Sequence, residues 1–190
     1  QEALPFVCQI GVLEVVKNWM DLGLDPNMIN IHGFYPIHLC STRDVIEYLE
    51  IEKHADMNLK TITAVLFHHN IYFREGGSGF QISYHHGFFD VTKYWIDRGE
   101  DVNKEVNELT PLCFSCFHGD LKAVKFFIEN GADVNKSVEM CGEKGYTPLI
   151  ISSIRNHLDV LKYLITKGAN INQATLDSST VLGGAPALNM

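Results

Sequence analysis

Three side chains that could bind a metal lie within one short segment, Cys113, Cys116 and His118. Thiolates in a CxxC pair with a nearby imidazole are common zinc ligands, but a structural zinc site needs four ligands. The chain has no second CxxC pair and no HxxxH pair to complete the set. Free cysteines usually act as small apolar core residues. We therefore interpret Cys113 and Cys116 as core residues and expect no metal site.

Catalysis is the second chemical possibility, because the sequence contains five Cys and nine His. A cysteine nucleophile needs an activating base in a cleft and a residue that orients this base. The sequence suggests no orienting residue, and the glycine-rich stretch 76–79 lacks the lysine of a phosphate-binding loop. We therefore expect no enzyme activity, no cofactor and no small-molecule substrate.

Composition narrows the partners and the compartment. The formal net charge of −8 argues against nucleic acid or an anionic membrane as the main partner. No apolar run reaches the roughly 18 residues that span a bilayer. An odd number of cysteines without a signal peptide favours a reducing compartment, either cytoplasmic or nuclear. Because the chain begins with Gln1, we expect it to be a fragment or a processed form.

Two short predicted helices hold the candidate cysteines. Thr110 and Pro111 favour the start of the first helix, and Gly119 favours its end. Asp120 is a good cap for a second helix, whose apolar residues recur at helical spacing up to Gly131. One such helix pair cannot bury its apolar face alone, so the pattern predicts neighbouring copies.

Similar helix pairs do recur along the chain. Asn residues near the ends of successive copies are spaced by 31, 45, 32 and 37 residues. In the second copy the turn between the helices is predicted to be about three residues short, without a glycine. The predicted repeats cover about 1–32, 33–58, 79–106, 107–142 and 143–176, with a partial sixth at 177–190 and an insertion at 59–78.

These copies resemble ankyrin repeats. The resemblance rests on Thr-Pro-Leu at 110–112 and 147–149, on Tyr-Pro-Ile-His at 35–38, and on the Gly-Ala-Asp-Val-Asn and Gly-Ala-Asn-Ile-Asn endings at 131–135 and 168–172. It implies an all-α ankyrin-repeat solenoid of stacked helix-turn-helix units with β-hairpin turns, forming a single domain over 1–190. The family period is 33 residues, so two of the spacings are too long. We interpret the Asn near the end of each copy as closing its turn through side-chain to backbone hydrogen bonds.

The two long spacings predict two insertions. Residues 61–63 and 71–73 are rich in strand formers, so 59–78 is interpreted as an enlarged β-hairpin finger. A degenerate helix over 64–73 is the alternative. The shorter excess, 137–144, is interpreted as a longer turn tip.

Candidate binding residues follow from the repeat register. Equivalent residues of adjacent ankyrin repeats are expected side by side on the concave groove, which would give one row with His86, His118 and Arg155 and another with His85, Phe117 and Ile154. Phe117 and Ile154 are large apolar residues where such repeats usually carry polar ones, and an exposed apolar patch often marks a binding site. Alternatively, the finger could fold back over them.

The most concrete functional hypothesis is a module that binds another protein through this groove and the turn tips. The alternative is the targeting or substrate-recruiting ankyrin part of a larger enzyme or effector whose catalytic domain lies elsewhere. A third hypothesis is a purely structural spacer. The predicted groove residues are His85, His86, Phe114, Phe117, His118, Ile151, Ile154 and Arg155, and the predicted tip residues are His68, His69, Asn70, Glu105, Asn107, Glu108, Glu139 and Glu143.

Overall fold

A computed structural model describes residues 4–61, 66–67, 71–72, 77–140 and 142–173. Its contacts divide the chain into two compact units, Gln1–Glu100 and Asp101–Met190, which are described separately below. None of the described helices is long and apolar enough to cross a membrane. The arrangement of 1–190 as a single domain stays a prediction.

The first unit contains helix pairs and one small hairpin. Its apolar core includes Val16, Ile46, Leu49, Phe80 and Val91, which are all fully or almost fully buried. The elements in chain order are α1 (Leu4–Ile10), α2 (Leu13–Met20), a 3-10 helix (Pro36–His38), α3 (Arg43–Ile51), β1 (Leu66–Phe67), β2 (Ile71–Tyr72), α4 (Gly79–His85) and α5 (Phe89–Asp97).

The second unit contains two complete helix pairs with a hairpin between them. Leu112, Val124, Phe127, Leu149 and Leu164 fill its core. The elements are α6 (Pro111–His118), α7 (Leu121–Glu129), β3 (Val138–Met140), β4 (Glu143–Tyr146), α8 (Pro148–Ile154) and α9 (Leu158–Thr166).

Local sequence signals account for the ends of these helices. The Thr110 hydroxyl accepts a hydrogen bond from the Cys113 amide at 3.1 Å, and Asp120 caps α7 through the Ala123 amide at 3.0 Å. Gly119 ends α6 with a φ of 73°, and a Cβ there would lie 2.5 Å from the His157 ring. Both the conformation and the space therefore require glycine at this position. These predicted helix boundaries are confirmed.

The short second repeat is shortened in a different place from the one predicted. Its first helix is a single 3-10 turn, Pro36–His38, and four residues separate this turn from α3. The prediction that the turn between the helices is about three residues short was therefore wrong. A one-turn helix satisfies few of its own backbone groups, and the buried His38 ring bonds two backbone groups, one at the start of the turn and one 21 residues further along the chain. Its Nδ1 accepts from the Tyr35 amide at 3.2 Å, so its Nε2–H donates to the Leu59 carbonyl at 3.0 Å.

Successive repeats are joined by a ladder of asparagine side chains. The Oδ1 of Asn103 accepts from the Asp133 amide at 2.8 Å, and the Oδ1 of Asn135 accepts from the Asn170 amide at 2.8 Å. Each asparagine therefore bonds to the next repeat, and the interpretation that it closes its own turn was wrong. The residue two positions before the asparagine closes the turn instead, since Asp101 accepts a hydrogen bond from the Asn103 amide at 2.8 Å.

Both insertions contain hairpins. Leu66–Phe67 pairs antiparallel with Ile71–Tyr72, so the hairpin interpretation of 59–78 holds at these positions and the helical alternative does not. Thr61 lies outside any strand, while Lys60 and Ser78 form an antiparallel bridge at the base. The shorter insertion is a second hairpin, β3–β4, with an irregularity between Val138 and Glu139. The segment interpreted as a longer turn tip is therefore part of a hairpin with two paired strands.

Candidate functional site

Helices α6 and α8 present several large apolar side chains that remain at least partly open to solvent. On α6, Phe114 and Phe117 are half-buried and His118 is exposed. On α8, Ile151 is buried but Ile154 keeps 51% of its surface exposed. We call the surface made by Phe114, Phe117, His118, Ile151, Ile154 and Arg155 the α6–α8 surface.

Neighbouring side chains contact both the ring and the backbone carbonyl of Phe117. The Arg155 guanidinium carbon lies 4.2 Å from the centre of the Phe117 ring, which is a close cation–π contact. The Phe117 carbonyl also accepts from Arg155 Nε at 3.3 Å and from His157 Nε2 at 3.2 Å. Three contacts from the following repeat thus fix the position of this half-buried aromatic residue.

The β3–β4 hairpin turns this surface into a pocket. Met140 from β3 and Tyr146 from β4 add two walls, and the Tyr146 hydroxyl donates to Glu143 Oε2 at 2.7 Å. The pocket encloses about 200 Å³ and its lining is almost wholly apolar. We call it the α6–α8 pocket, and its lining residues are Phe117, Met140, Tyr146, Ile151, Ile154 and Arg155.

Sequence reasoning missed Met140 and Tyr146. Val138 and Met140 alternate with a polar residue, which is a strand signal, and Gly142 with its φ of 83° provides the turn. The hairpin was therefore readable, but its contact with α8 depends on how the hairpin packs. The β3–β4 hairpin borders Phe117 and Ile154, whereas the alternative that the finger at 59–78 folds back over them stays a prediction.

The predicted rows of groove residues include members of both units, which are described one unit at a time. Within the second unit Arg155 packs on Phe117, a member of the other predicted row. His85 and His86 belong to the first unit, where His85 stacks on Tyr84 with ring centres 4.6 Å apart and His86 stacks on Phe88 at 5.1 Å. Burial lowers the pKa of His86. Both histidines are half-buried, so their role in binding stays a prediction.

The predicted turn-tip residues have different surroundings. Glu105 is exposed and forms an ion pair with Lys136 at 3.5 Å. Asn107 and Glu108 occupy a tight two-residue turn with positive φ values of 48° and 69°. Glu139 is exposed, whereas Glu143 holds the Tyr146 hydroxyl. The other predicted tip residues, His68, His69 and Asn70, lie outside the described residues, as does the partial sixth repeat.

The CxxC segment behaves as core. Cys113 and Cys116 are fully buried, and burial raises the pKa of Cys113 to about 11 and that of Cys116 well above its usual value. Protonated thiols at neutral pH are poor metal ligands and poor nucleophiles. His118 uses Nδ1–H to donate to the Phe114 carbonyl at 2.9 Å. No group of three or more metal-ligating side chains is present among the described residues.

A second, polar cavity lies in the first unit. It encloses about 440 Å³ near the ends of α3 and α5, and the Glu50–Arg98 ion pair forms part of its lining. Its polar character means that a partner would gain little from the hydrophobic effect there. The remaining lining residues are Ala55, Asp56, Met57, Asn58, Trp95 and Glu100.

Successive helix pairs of this kind, joined by asparagine side chains, are the architecture of a helical repeat protein. The sequence model of the family described as ankyrin repeats (three copies) matches residues 80–175, about half of the chain. The chain therefore belongs to the ankyrin-repeat family, and the predicted family and all-α fold class are confirmed. No curated protein matches the chain significantly. Binding to other proteins is the general role of ankyrin repeats, which are typically non-catalytic.

Proposed function

We propose that this chain is a protein-interaction module that binds a partner protein at the α6–α8 surface. The observation that carries the proposal is the open apolar pocket, where Ile154 leaves half of its side chain exposed beside Phe117. Exposed apolar concavities of this kind are typical of binding sites. The proposal also includes the predicted turn tips and, in the first unit, His85 and His86 as binding residues.

The energetics support binding by a preformed surface. Full burial of one large apolar side chain contributes about 1.5–3 kcal/mol, so covering the exposed half of Ile154 contributes about 1 kcal/mol. Arg155 fixes Phe117, and Glu143 fixes Tyr146. Because these side chains are already ordered, binding costs little additional conformational entropy.

The test is partner capture by paired variants of the whole chain. We expect Phe117→Ala combined with Ile154→Ala to abolish capture from a cell extract, while Ile154→Ala alone leaves the melting temperature nearly unchanged. The matched control is Leu158→Ala combined with Ile165→Ala, because these residues are also exposed but lie on α9. Capture that survives the first pair as well as it survives the control would refute the proposed site.

The proposal also includes an intracellular location, in the cytoplasm or the nucleus. Its support is that the four described cysteines, Cys8, Cys40, Cys113 and Cys116, are buried thiols without a disulfide. Such thiols suit a reducing compartment. Imaging of the tagged protein with cytoplasmic and nuclear markers tests this part, and a secreted protein would contradict it.

A further inference from the structure

Arg155 provides the charged group at the α6–α8 pocket. Its Nε–H donates to the Phe117 carbonyl, and its guanidinium carbon lies 4.2 Å from the centre of the Phe117 ring. The two terminal NH2 groups remain at the exposed end, and no acid among the described residues forms an ion pair with them. A fixed guanidinium fork matches a carboxylate in geometry and loses little freedom when it binds one.

The size and lining of the pocket indicate what lies beside this cation. About 200 Å³ is below the roughly 300–1,000 Å³ that is typical of small-molecule sites. The pocket therefore suits one large apolar side chain of a partner. Met140, Ile151 and Ile154 offer that side chain only apolar contacts.

We propose that the partner presents an internal segment in which an aspartate or glutamate adjoins a large apolar residue. This inference rests on the proposed protein-binding function. The apolar side chain enters the α6–α8 pocket, and the carboxylate accepts hydrogen bonds from Arg155. An internal segment fits better than a chain end, because the surface continues past the pocket over Phe114 and His118.

At the α6–α8 pocket, the charge of Arg155 matters more to a partner than the net charge of the protein. The chain carries −8 overall, but exposed charges farther away than about 8 Å are largely screened at physiological salt. The hairpin acid Glu143 accepts the Tyr146 hydroxyl. Among the described residues that line the pocket, Arg155 alone carries a charge, so it favours an anionic group of the partner at this point.

The test uses short peptides and the whole 190-residue chain with labelled isoleucine methyl groups. The probes are acetylated, amidated hexapeptides with a central Phe-Asp, Phe-Asn, Phe-Lys or Ala-Asp pair, and a Phe-Asp peptide whose Asp ends the chain as a free acid. Concentrations up to about 5 mM reveal millimolar dissociation constants. We expect Phe-Asp to shift the Ile151 and Ile154 methyl signals, and Phe-Asn and Ala-Asp to bind about tenfold more weakly.

Variants of Arg155 separate the carboxylate contact from pocket filling. Arg155→Gln should remove the preference for Phe-Asp over Phe-Asn, and Arg155→Lys should restore only part of it, because lysine lacks the fork. Equal binding of Phe-Asp, Phe-Asn and Phe-Lys at the pocket would overturn the carboxylate inference but leave the proposed binding site intact. Tighter binding of the free acid would overturn the choice of an internal segment. No methyl shift with any peptide would overturn both proposals.

Discussion

Two repeats, around residues 30–58 and 106–135, differ in which part of their local structure is unfavourable. The first has a relaxed entry turn, where Gly33 takes the positive φ of 80° and Asn30 Oδ1 accepts from the Phe34 amide at 2.9 Å. Its first helix is reduced to one turn. The second has a full, capped first helix, but its entry turn places Glu108 at a φ of 69°.

The two repeats are stabilised at different places. In the first repeat a single buried imidazole replaces the missing helix turn through two hydrogen bonds. In the second, stability is spread over the cap, the core and the glycine that ends α6, so the repeat can tolerate a strained turn. Because repeat stability is nearly a sum of local terms, each difference can be tested separately by local hydrogen exchange.

The largest expected effect is the loss of the His38 side chain. His38→Ala leaves the Tyr35 amide and the Leu59 carbonyl without partners and opens a cavity, so we expect a loss of about 3–4 kcal/mol. Urea unfolding and amide exchange in α3 measure this loss. His38→Gln, which has one acceptor and one donor, should lose less. A loss below about 1 kcal/mol for the alanine variant would show that the imidazole does not replace the helix turn.

Acid should weaken the same repeat. Burial lowers the pKa of His38 from 6.5 to about 4, so between these values the unfolded chain binds more protons than the folded chain. The free energy of unfolding should therefore fall as the pH drops from 6.5 to 4, by about 3 kcal/mol from this residue. Urea titrations at several pH values measure the slope, with His38→Gln as the control. An identical slope in both proteins would exclude His38 as its source.

Removal of a helix cap in the second repeat should have a smaller effect. Thr110→Ala deprives the Cys113 amide of its acceptor, and such caps contribute about 1 kcal/mol. Thr110→Ser keeps the hydroxyl and should lose only a fraction of that. Amide exchange in α6 compares the two variants. If both lost the same amount, the threonine methyl group and not the cap would explain the effect.

The smallest expected effect is a gain. Glu108→Gly relieves a side chain from the left-handed region, and part of this gain is offset by the flexibility of glycine in the unfolded chain. We expect a stabilisation of about 0.5–1 kcal/mol. Asn107→Gly is the matched control, and it should gain less because asparagine tolerates this conformation. Thermal unfolding measures both variants, and a destabilised Glu108→Gly would mean that the glutamate makes a contact worth more than its strain.

Local signals made much of the fold predictable. Thr110, Gly119 and Asp120 each act on backbone groups within a few residues, so their types indicate the helix ends directly. The repeat register adds the core, because equivalent apolar positions recur at helical spacing. The structure agrees with the sequence wherever the determining interaction is local.

The sequence failed where distant residues decide. The shortened helix of the second repeat depends on His38 reaching Leu59, 21 residues away in the chain. The α6–α8 pocket depends on how β3–β4 packs against α8, and no local pattern places Met140 and Tyr146 beside Phe117. By contrast, the sequence alone marks Phe117 and Ile154 as candidate surface residues, because each is a large apolar residue at a position that is usually polar in such repeats.

The asparagine ladder forms the same hydrogen bond between repeats of different sequence length. Asn103 to Asp133 and Asn135 to Asn170 are joined by bonds of the same 2.8 Å, although only the second pair has the β3–β4 hairpin between its members. The same hydrogen bond between repeats therefore forms with or without an inserted hairpin. We therefore expect that the β3–β4 hairpin can be lengthened, shortened or exchanged while both asparagine hydrogen bonds persist, which would change the walls of the pocket without rebuilding the repeats.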